Sequence, residues 1–329
     1  MTRTTPNLPP ANDPIGETLH LLRLTGSLYC RAELTAPWGI EMRPMKGLMM
    51  FHIVTAGRFW LEVDGEEPLL LTKGSLTLVP HGTGHRFRSD PETGAEPLFD
   101  LPVEQVSDRY EIMRHGGGGE FTHATCGVMR FDHVAAERLI ASLPRVLHVD
   151  SWDHEEGGWL QSTLGFISRE ASALRPGGET VITRLADILV IQAIRSWLES
   201  APEAQQGWLA ALRDRQVGRA LAAIHRAPDQ DWTLASLADE VGMSRSAFSA
   251  RFTELVGESA MRYLTWWRMQ LARTRLLEGS EPLSVVANRL GYQSEAAFCR
   301  AFKRMFGVPP GSIRRDTSSL AELAGAVAS

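Results

Sequence analysis

Between Leu28 and about Asp132, apolar and polar residues alternate in short runs: WGIEMR, MMFHIVTAG, RFWLEVDG, PLLLTKG, SLTLVP and EFTHATCGVMRFD. This period of two predicts β-strands, because successive side chains on a strand point to opposite faces. Gly57, Asp64-Gly65, Lys73-Gly74 and Pro80-His81-Gly82 supply turn residues between the runs, the regular punctuation of a small β-barrel or sandwich. From Asp100 to Gly119 the alternation breaks down, which predicts a long connection ending in a mobile loop at Gly116 to Gly119. No Gly-Lys-Ser/Thr follows those glycines, so they do not form a phosphate cradle.

After Arg130 the apolar spacing changes to three and four, predicting helices near Val134 to Ser142, Gly158 to Ala173 and Glu179 to Ser200. The third, ETVITRLADILVIQAIRSWLES, is apolar on more than one face. It reads as a core helix that also forms a dimer interface, with plain core burial as the alternative. APEAQQG, residues 201 to 207, breaks the pattern and reads as an interdomain hinge.

From Val217 onward the chain reads as helices with short punctuation. In LASLADEVGMSRSAFSARFTELVG one helix ends near Val241, Gly242 turns the chain, and Ser244 caps a second helix. The same grammar returns in LSVVANRLGYQSEAAFCRAFKRMFGVPP, with Gly291 as the turn and Ser294 as the cap. Two helix-turn-helix units are therefore expected, joined by an unbroken helix from Met261 to Glu278 of about 27 Å. Major grooves on one face of DNA recur about every 34 Å, so this connector suits two reading helices on one duplex.

Charge sharpens that reading. The net charge of -5 is spread unevenly: Arg213 to Asp316 carries 16 Arg and Lys against 11 Asp and Glu, and the remainder is -10. Only Lys46, Lys73 and Lys303 are lysines, so the basic face is made of guanidinium groups suited to phosphates and guanines. No apolar stretch reaches membrane-spanning length, and the polar, proline-rich start lacks a signal-peptide core, so a cytoplasmic location is expected. Cys30, Cys126 and Cys299 are spaced too widely for a zinc ribbon or a disulfide framework.

The segment from about Gln216 to Arg315 resembles the AraC/XylS family of bacterial transcription regulators. Gly291-Tyr292, Ser294, Phe298, Arg300, Phe302-Lys303, Phe306-Gly307 and Pro309-Pro310 carry the resemblance. It implies that double-stranded promoter DNA and RNA polymerase are partners and that the protein is a transcriptional activator or repressor. Helical spacing puts Phe248, Phe252, Phe298 and Phe302 in the core. The resemblance then makes Arg245, Ser246, Ser249 and Ala250 the DNA face of the first reading helix. Gln293, Ser294, Glu295, Ala296, Cys299, Arg300 and Lys303 form that of the second. Small residues on the first helix imply weak readout there, while Arg300 and Arg245 suit guanine or phosphate and Glu295 suits cytosine.

In the β region, Gly74, Pro80, Gly82 and His85 of GSLTLVPHGTGH fit the second motif of the cupin fold. The places of the first motif's metal ligands hold Arg43, Met45 and Met50, so an enzyme's metal centre cannot be assembled. The expected fold is α+β: a cupin-like sensor barrel with dimerising helices, then an all-α double helix-turn-helix domain. Expected boundaries are a disordered arm at 1–20, sensor and dimerisation domain at 21–200, linker at 201–212, DNA-binding domain at 213–316 and flexible tail at 317–329. Candidate effector contacts are His52, His85, Trp38, Phe51 and Trp60. No cofactor is required. A metal ion on His52, His85 and Cys126 is one candidate signal, oxidation of Cys30 and Cys126 a second, and an organic small molecule a third, against the plainer alternative of two hydrogen-bonded barrel histidines and a buried thiol. The protein is expected to be a homodimer and not an enzyme. A cupin metalloenzyme fused to a DNA-targeting module is the alternative.

Overall fold

The computed structural model describes residue 16 and residues 24–131, 134–150, 162–163, 165–167, 169–170, 175–202 and 207–313. The expected tail, the expected arm apart from Gly16, and part of the helix expected over 158–173 lie outside the described residues; those of 158–173 that are described are helical. The chain divides into two compact units, one built on residues 23–132 with 139–200 and the other on the residues from 201 onward.

The first unit is a barrel of two sheets. Its strands are β1 (Leu24–Thr35), β2 (Gly39–Met42), β3 (Leu48–Ala56), β4 (Arg58–Val63), β5 (Leu69–Thr72), β6 (Leu76–Val79), β7 (His85–Arg88), β8 (Glu96–Pro97), β9 (Val103–Ser107), β10 (Tyr110–Gly116), β11 (Phe121–Phe131) and β12 (Leu147–Val149). Seven of them form a sheet in the order β12-β6-β3-β11-β1-β10-β9 and five form a second in the order β5-β4-β7-β2-β8. Side chains of alternating parity fill the space between the sheets: Ile40 and Met42 on β2, Met50 and Val54 on β3, Phe59 and Leu61 on β4, all buried.

The opposite parity of the larger sheet buries Tyr29, Met49, Phe51, Ile53 and Leu78. Helix α1 spans Val134–Ser142 and α2 spans Gly178–Ser200. The α2 helix packs on β1 and β12, and the Tyr29 hydroxyl donates to Asp187 on α2 at 3.4 Å. One face of α2 buries Ile182, Ala186, Leu189, Ala193 and Ile194, while Val181 and Ile188 on another face stay 37% and 45% exposed. The helix thus has the two apolar faces its sequence suggests.

The expected long connection from Asp100 to Gly119 is instead a hairpin of β9 and β10. Sequence alternation misses it because β9, VEQVS, is an almost fully exposed edge strand, and β10 buries the adjacent pair Ile112 and Met113. Its glycines are not a free loop either. Gly117 N donates to Thr35 O at 2.8 Å, Gly119 N to Ala36 O at 2.8 Å and Gly118 N to Thr35 Oγ1 at 2.9 Å. Gly116 adopts a positive φ with the Thr35 carbonyl 1.8 Å from where a Cβ would stand, so glycine is required there.

The second unit consists of α3 (Gly207–Arg213), α4 (Val217–Arg226), α5 (Leu234–Glu240), α6 (Arg245–Val256), α7 (Ala260–Glu278), α8 (Leu283–Arg289), α9 (Glu295–Phe306) and α10 (Pro310–Ile313). Residues 207–212, expected in the linker, are the first helix of this unit. Trp208, Leu209, Ala211 and Leu212 are buried, and Trp208 Nε1 donates to Tyr263 Oη at 3.3 Å. The apolar spacing of WLAALR was hidden by the polar stretch before it.

Both helix-turn-helix units form as their caps dictate. Thr233 and Ser236 make a reciprocal capping box at the start of α5. Ser244 Oγ accepts from Ala247 N at 3.3 Å at the start of α6, and Ser294 Oγ from Ala297 N at 3.2 Å at the start of α9. Gly242 and Gly291 turn the chain at φ of 69° and 73°. Arg268, midway along α7, donates to the carbonyls of Pro228 at 2.6 Å and Gln230 at 2.8 Å, and its guanidinium lies 5.8 Å from the centre of the Tyr292 ring. One side chain therefore braces the loop before the first unit and the turn of the second.

Candidate functional site

The candidate reading faces follow from which side of each helix the core claims. Phe248 and Phe252 are fully buried on α6, leaving Arg245, Ser246 and Ala250 exposed and Ser249 half-buried. Phe298 and Phe302 play the same part on α9. Gln293, Ser294, Glu295, Ala296, Arg300 and Lys303 are exposed, while Cys299 is half-buried against the core cluster of that unit. Among the exposed residues that escaped the sequence reading are Ala247, in the first turn of α6, and Arg304, which extends the basic edge of Arg300 by one helical turn.

The two faces differ electrostatically. On α6 the second arginine, Arg251, is held by Asp214 at 2.9 Å and lies 3.7 Å from Glu254. Asp214 also accepts from the backbone N–H groups of Gln216 and Val217, so Arg251 braces the start of α4 and leaves Arg245 as the α6 cation available to a phosphate or base. On α9, Arg300, Lys303 and Arg304 all lie exposed. This helix has the stronger charge for docking to a polyanion.

Inside the barrel is a cavity of about 70 Å³. Cys30, Ala32 and Leu34 of β1 and Ala124, Cys126 and Val128 of β11 form one wall; Trp38, Ile40, Met42, Phe59 and Phe87 form the other. His52 and Glu111 are also among the lining residues, but the surface they and their neighbours present to the cavity is almost wholly apolar. Strand register explains the grouping: Glu111 pairs with Cys30, Cys30 with Cys126, and Cys126 with His52, a row running across β10, β1, β11 and β3. Laterally paired residues share a face, so all four meet the cavity.

Of the expected effector contacts, Trp38 and His52 line the cavity and His85 stands behind His52. Phe51 and Trp60 do not. Each neighbours an inward residue, His52 or Phe59, so the period of two turns it to the other face. Phe51 packs on Tyr29 with ring centroids 5.9 Å apart, over Gly127, where any Cβ would strike its ring. Phe59, Phe87 and Met42 take the expected places, a result that consistent alternation along β2, β4 and β7 would have given.

The expected metal set of His52, His85 and Cys126 is not assembled. Among the described residues no three His, Cys, Asp or Glu side chains are grouped to hold a metal ion. The His52 and His85 rings meet edge to face at 5.1 Å, with Phe87 against both at 4.4 and 4.7 Å. His85 Nδ1 is committed to the Thr83 carbonyl at 2.9 Å. Both imidazoles are held neutral: burial, reinforced by His85, places His52 well below the usual histidine range, and burial lowers His85 to about 4.

Cys30 and Cys126, directly opposite each other, are both free thiols. Burial, with Cys126 adding to it, raises Cys30 well above the ordinary cysteine value, and burial pushes Cys126 up to about 12. Thiolate, the form that attacks oxidants, is therefore scarce at neutral pH. Glu111 is raised as well, by burial, against a hydrogen bond with the Cys30 thiol.

Residues 13–199 match a family model described as cupin, and residues 237–316 match one described as helix-turn-helix domain. An AraC-like transcription regulator of Streptomyces lividans is 36% identical over 305 residues, 92% of this chain and 98% of that protein. The HTH-type transcriptional regulator AlkR of Acinetobacter baylyi is 28% identical over 308 residues, 93% of this chain and 100% of its own. The solved C-terminal domain of AraT, a response regulator from Geobacillus stearothermophilus, is 34% identical over 31% of this chain and 85% of that one, with a TM-score of 0.31. Among the described residues no helix is long and apolar enough to cross a membrane. The likeness to the Streptomyces protein runs through barrel and paired helix-turn-helix units alike, and on that extent the chain belongs to the AraC-type transcription regulators that carry an N-terminal cupin domain.

Proposed function

We propose that this regulator is switched by a small-molecule effector held in the barrel, dimerises through α2 and reads its operator chiefly through α9. The observation that carries the reading is the cavity: an apolar pocket inside the sheet pair, with few polar groups, is the usual form of a small-molecule site. Its aliphatic and aromatic walls support sensing over turnover, and the two protonated thiols favour a ligand over an oxidant as the signal. Exposed Val181 and Ile188 supply the apolar stripe for a second copy. The exposed Arg300, Lys303 and Arg304 supply the phosphate and base contacts of α9. The protein acts in the cytoplasm, and RNA polymerase is the partner that the DNA-bound dimer influences.

The test is genome-wide mapping of bound DNA with and without candidate effectors, followed by mobility shifts on the recovered operators. Paired half-sites whose occupancy or transcript output changes with effector support the reading. Occupancy and output indifferent to every condition would identify a constitutive binder instead.

A further inference from the structure

An inward-facing side chain in the middle of a sheet is flanked by a strand on either side, so any surface it keeps belongs to the space it faces. Cys30 on β1 and Cys126 on β11 both stand this way, since those strands run between β10 and β3 in the larger sheet. Both line the barrel cavity and both are only half-buried, whereas His52 on the next strand is 1% exposed. A cysteine side chain is one methylene and a sulfur, so what this pair shows to the cavity is chiefly sulfur. The two residues are directly opposite in an antiparallel register, which sets their Cβ atoms about 4.5–5.5 Å apart. Neither is in a disulfide.

Four properties of this dithiol define what it can hold. The first is span: a metal ion set linearly between two sulfurs, with bonds of about 2.3 Å as in zinc thiolates, keeps them about 4.6 Å apart. A direct cross-strand pair supplies that separation. The second is ligand number. Zinc takes four ligands, and among the described residues no three His, Cys, Asp or Glu side chains are grouped to hold a metal ion. Two sulfurs alone select a soft d¹⁰ ion that is satisfied by linear coordination. The third is charge. No Lys or Arg lines the cavity, and Glu111, paired with Cys30, does. A monovalent ion between two thiolates leaves a buried negative charge with no cation beside it, whereas a divalent ion leaves a neutral complex. The fourth is size. The cavity of about 70 Å³ is under half of the roughly 150 Å³ that admits a benzene ring, but it is ample for a bare ion.

We propose that Cys30 and Cys126 form a two-coordinate site for a soft divalent d¹⁰ cation, the mercuric ion. This rests on reading the barrel as the effector site and makes that effector a metal ion. Each S–Hg bond forms as an S–H bond breaks, so Hg²⁺ and two thiols give one neutral bis-thiolate and two protons, with no change of oxidation state. Glu111, which already accepts a hydrogen bond from the Cys30 thiol, is the first acceptor for one of those protons.

The experiment is titration of the reduced full-length protein with mercuric, silver and zinc nitrates, with dithiothreitol as the competing dithiol. Cys299→Ser is the background, because it removes the third thiol; Cys30→Ser and Cys126→Ser are added to it singly, with circular dichroism as the check on folding. The background should retain one mercuric ion per chain, and either further substitution should weaken retention by at least about tenfold, since one thiol cannot chelate. Zinc should not be retained. Compared with dithiothreitol in water, the protein should favour mercury over silver by at least about a further tenfold, because only the silver complex buries a charge. Since a serine variant could fail to fold, X-ray absorption on the mercury-loaded background protein gives a second readout: two sulfur neighbours and no nitrogen or oxygen.

The proposal is overturned if retention is lost with Cys299, if either single serine variant holds the ion as tightly as the background, or if zinc is retained equally. It is overturned too if absorption shows one sulfur or more than two ligands, or if mercury and silver partition as they do with dithiothreitol. Adding operator DNA separates the two readings. Retention with the expected ligands but no effect on DNA affinity or transcription overturns the effector role and leaves the site. Failure to retain mercury alongside a response to some other inducer overturns the site and leaves sensing.

Discussion

Lowering the pH from 7.5 to 5.5 should destabilise the barrel in a way traceable to His52. In the unfolded chain an imidazole titrates near 6.5, whereas in the fold His52 stays neutral far below that and His85 titrates at about 4. Depressed folded values mean that the stability is fully present above pH 6.5 and is lost as the pH falls toward the folded values, because only the unfolded state takes up the protons. Over this interval the loss is about 1.3 kcal/mol for each imidazole, or about 2.6 kcal/mol for the pair. Asp187 works in the opposite direction. Burial raises it to about 6 against the opposing pull of Arg184 and the Tyr29 hydroxyl, so its protonation below pH 6 favours the fold. That contribution is common to wild type and His52→Leu and cancels in their difference. Urea melts at several pH values should therefore show the gap between wild type and variant changing by about 1.3 kcal/mol between pH 7.5 and 5.5, with the wild type the more acid-sensitive. Parallel pH curves would refute the argument, since they would mean that His52 protonates in the fold as readily as in the unfolded chain.

Three further outcomes are expected. Arg300→Ala should weaken binding to a specific operator by about 1–3 kcal/mol while barely changing binding to random DNA, whereas Lys303→Ala should weaken both and lower the salt slope by about one; mobility shifts across a salt series separate them. Ile188→Glu, with Val181→Glu if needed, should give folded monomers in sedimentation, and a persistent dimer would move the interface off this face of α2. Gly291→Ala should cost about 2–4 kcal/mol by thermal melts, because a Cβ there would stand 2.5 Å from the Asp229 carbonyl as well as straining a positive φ. Gly242→Ala, at a similar φ with nothing within 4 Å, should cost only about 1 kcal/mol; equal costs would show that the close approach at Gly291 is unimportant.

How far the sequence could be read depended on whether the controlling interaction was local. The two helix-turn-helix units were legible because their determinants lie within a few residues: Ser244 and Ser294 as caps, Gly242 and Gly291 as turns, and phenylalanine pairs four apart on α6 and α9. Strands β2 and β4 were legible because each has one inward parity, whereas β3 and β6, buried on both faces, were legible as short apolar runs bounded by turn residues. The β9–β10 hairpin was not, since an exposed edge strand leaves no alternation to read. Nor was α3, whose seven residues follow a stretch that breaks the pattern. Among the candidate contacts, Trp38 and His52 do line the cavity, whereas Phe51 beside His52 and Trp60 beside Phe59 fall on the other face, as the period of two requires. The pairing of Glu111, Cys30, Cys126 and His52 across four strands is a matter of register. The chain order of these residues carries no trace of it.

Arg268 has a consequence for how the operator must be built. With α7 rigid and its midpoint tied to Pro228, Gln230 and the Tyr292 turn, α6 and α9 hold a fixed angular offset that the protein cannot adjust cheaply. Were α6 and α9 both to read one duplex, as proposed, each base pair inserted between their sequences would turn the second by about 35° and move it about 3.4 Å along the duplex. A spacer altered by a single base pair therefore has to be accommodated by overwinding or underwinding the DNA. On that proposal the regulator would act as a gauge of helical phase, and changes in the torsional state of the chromosome would alter its occupancy with neither an effector nor a base substitution involved.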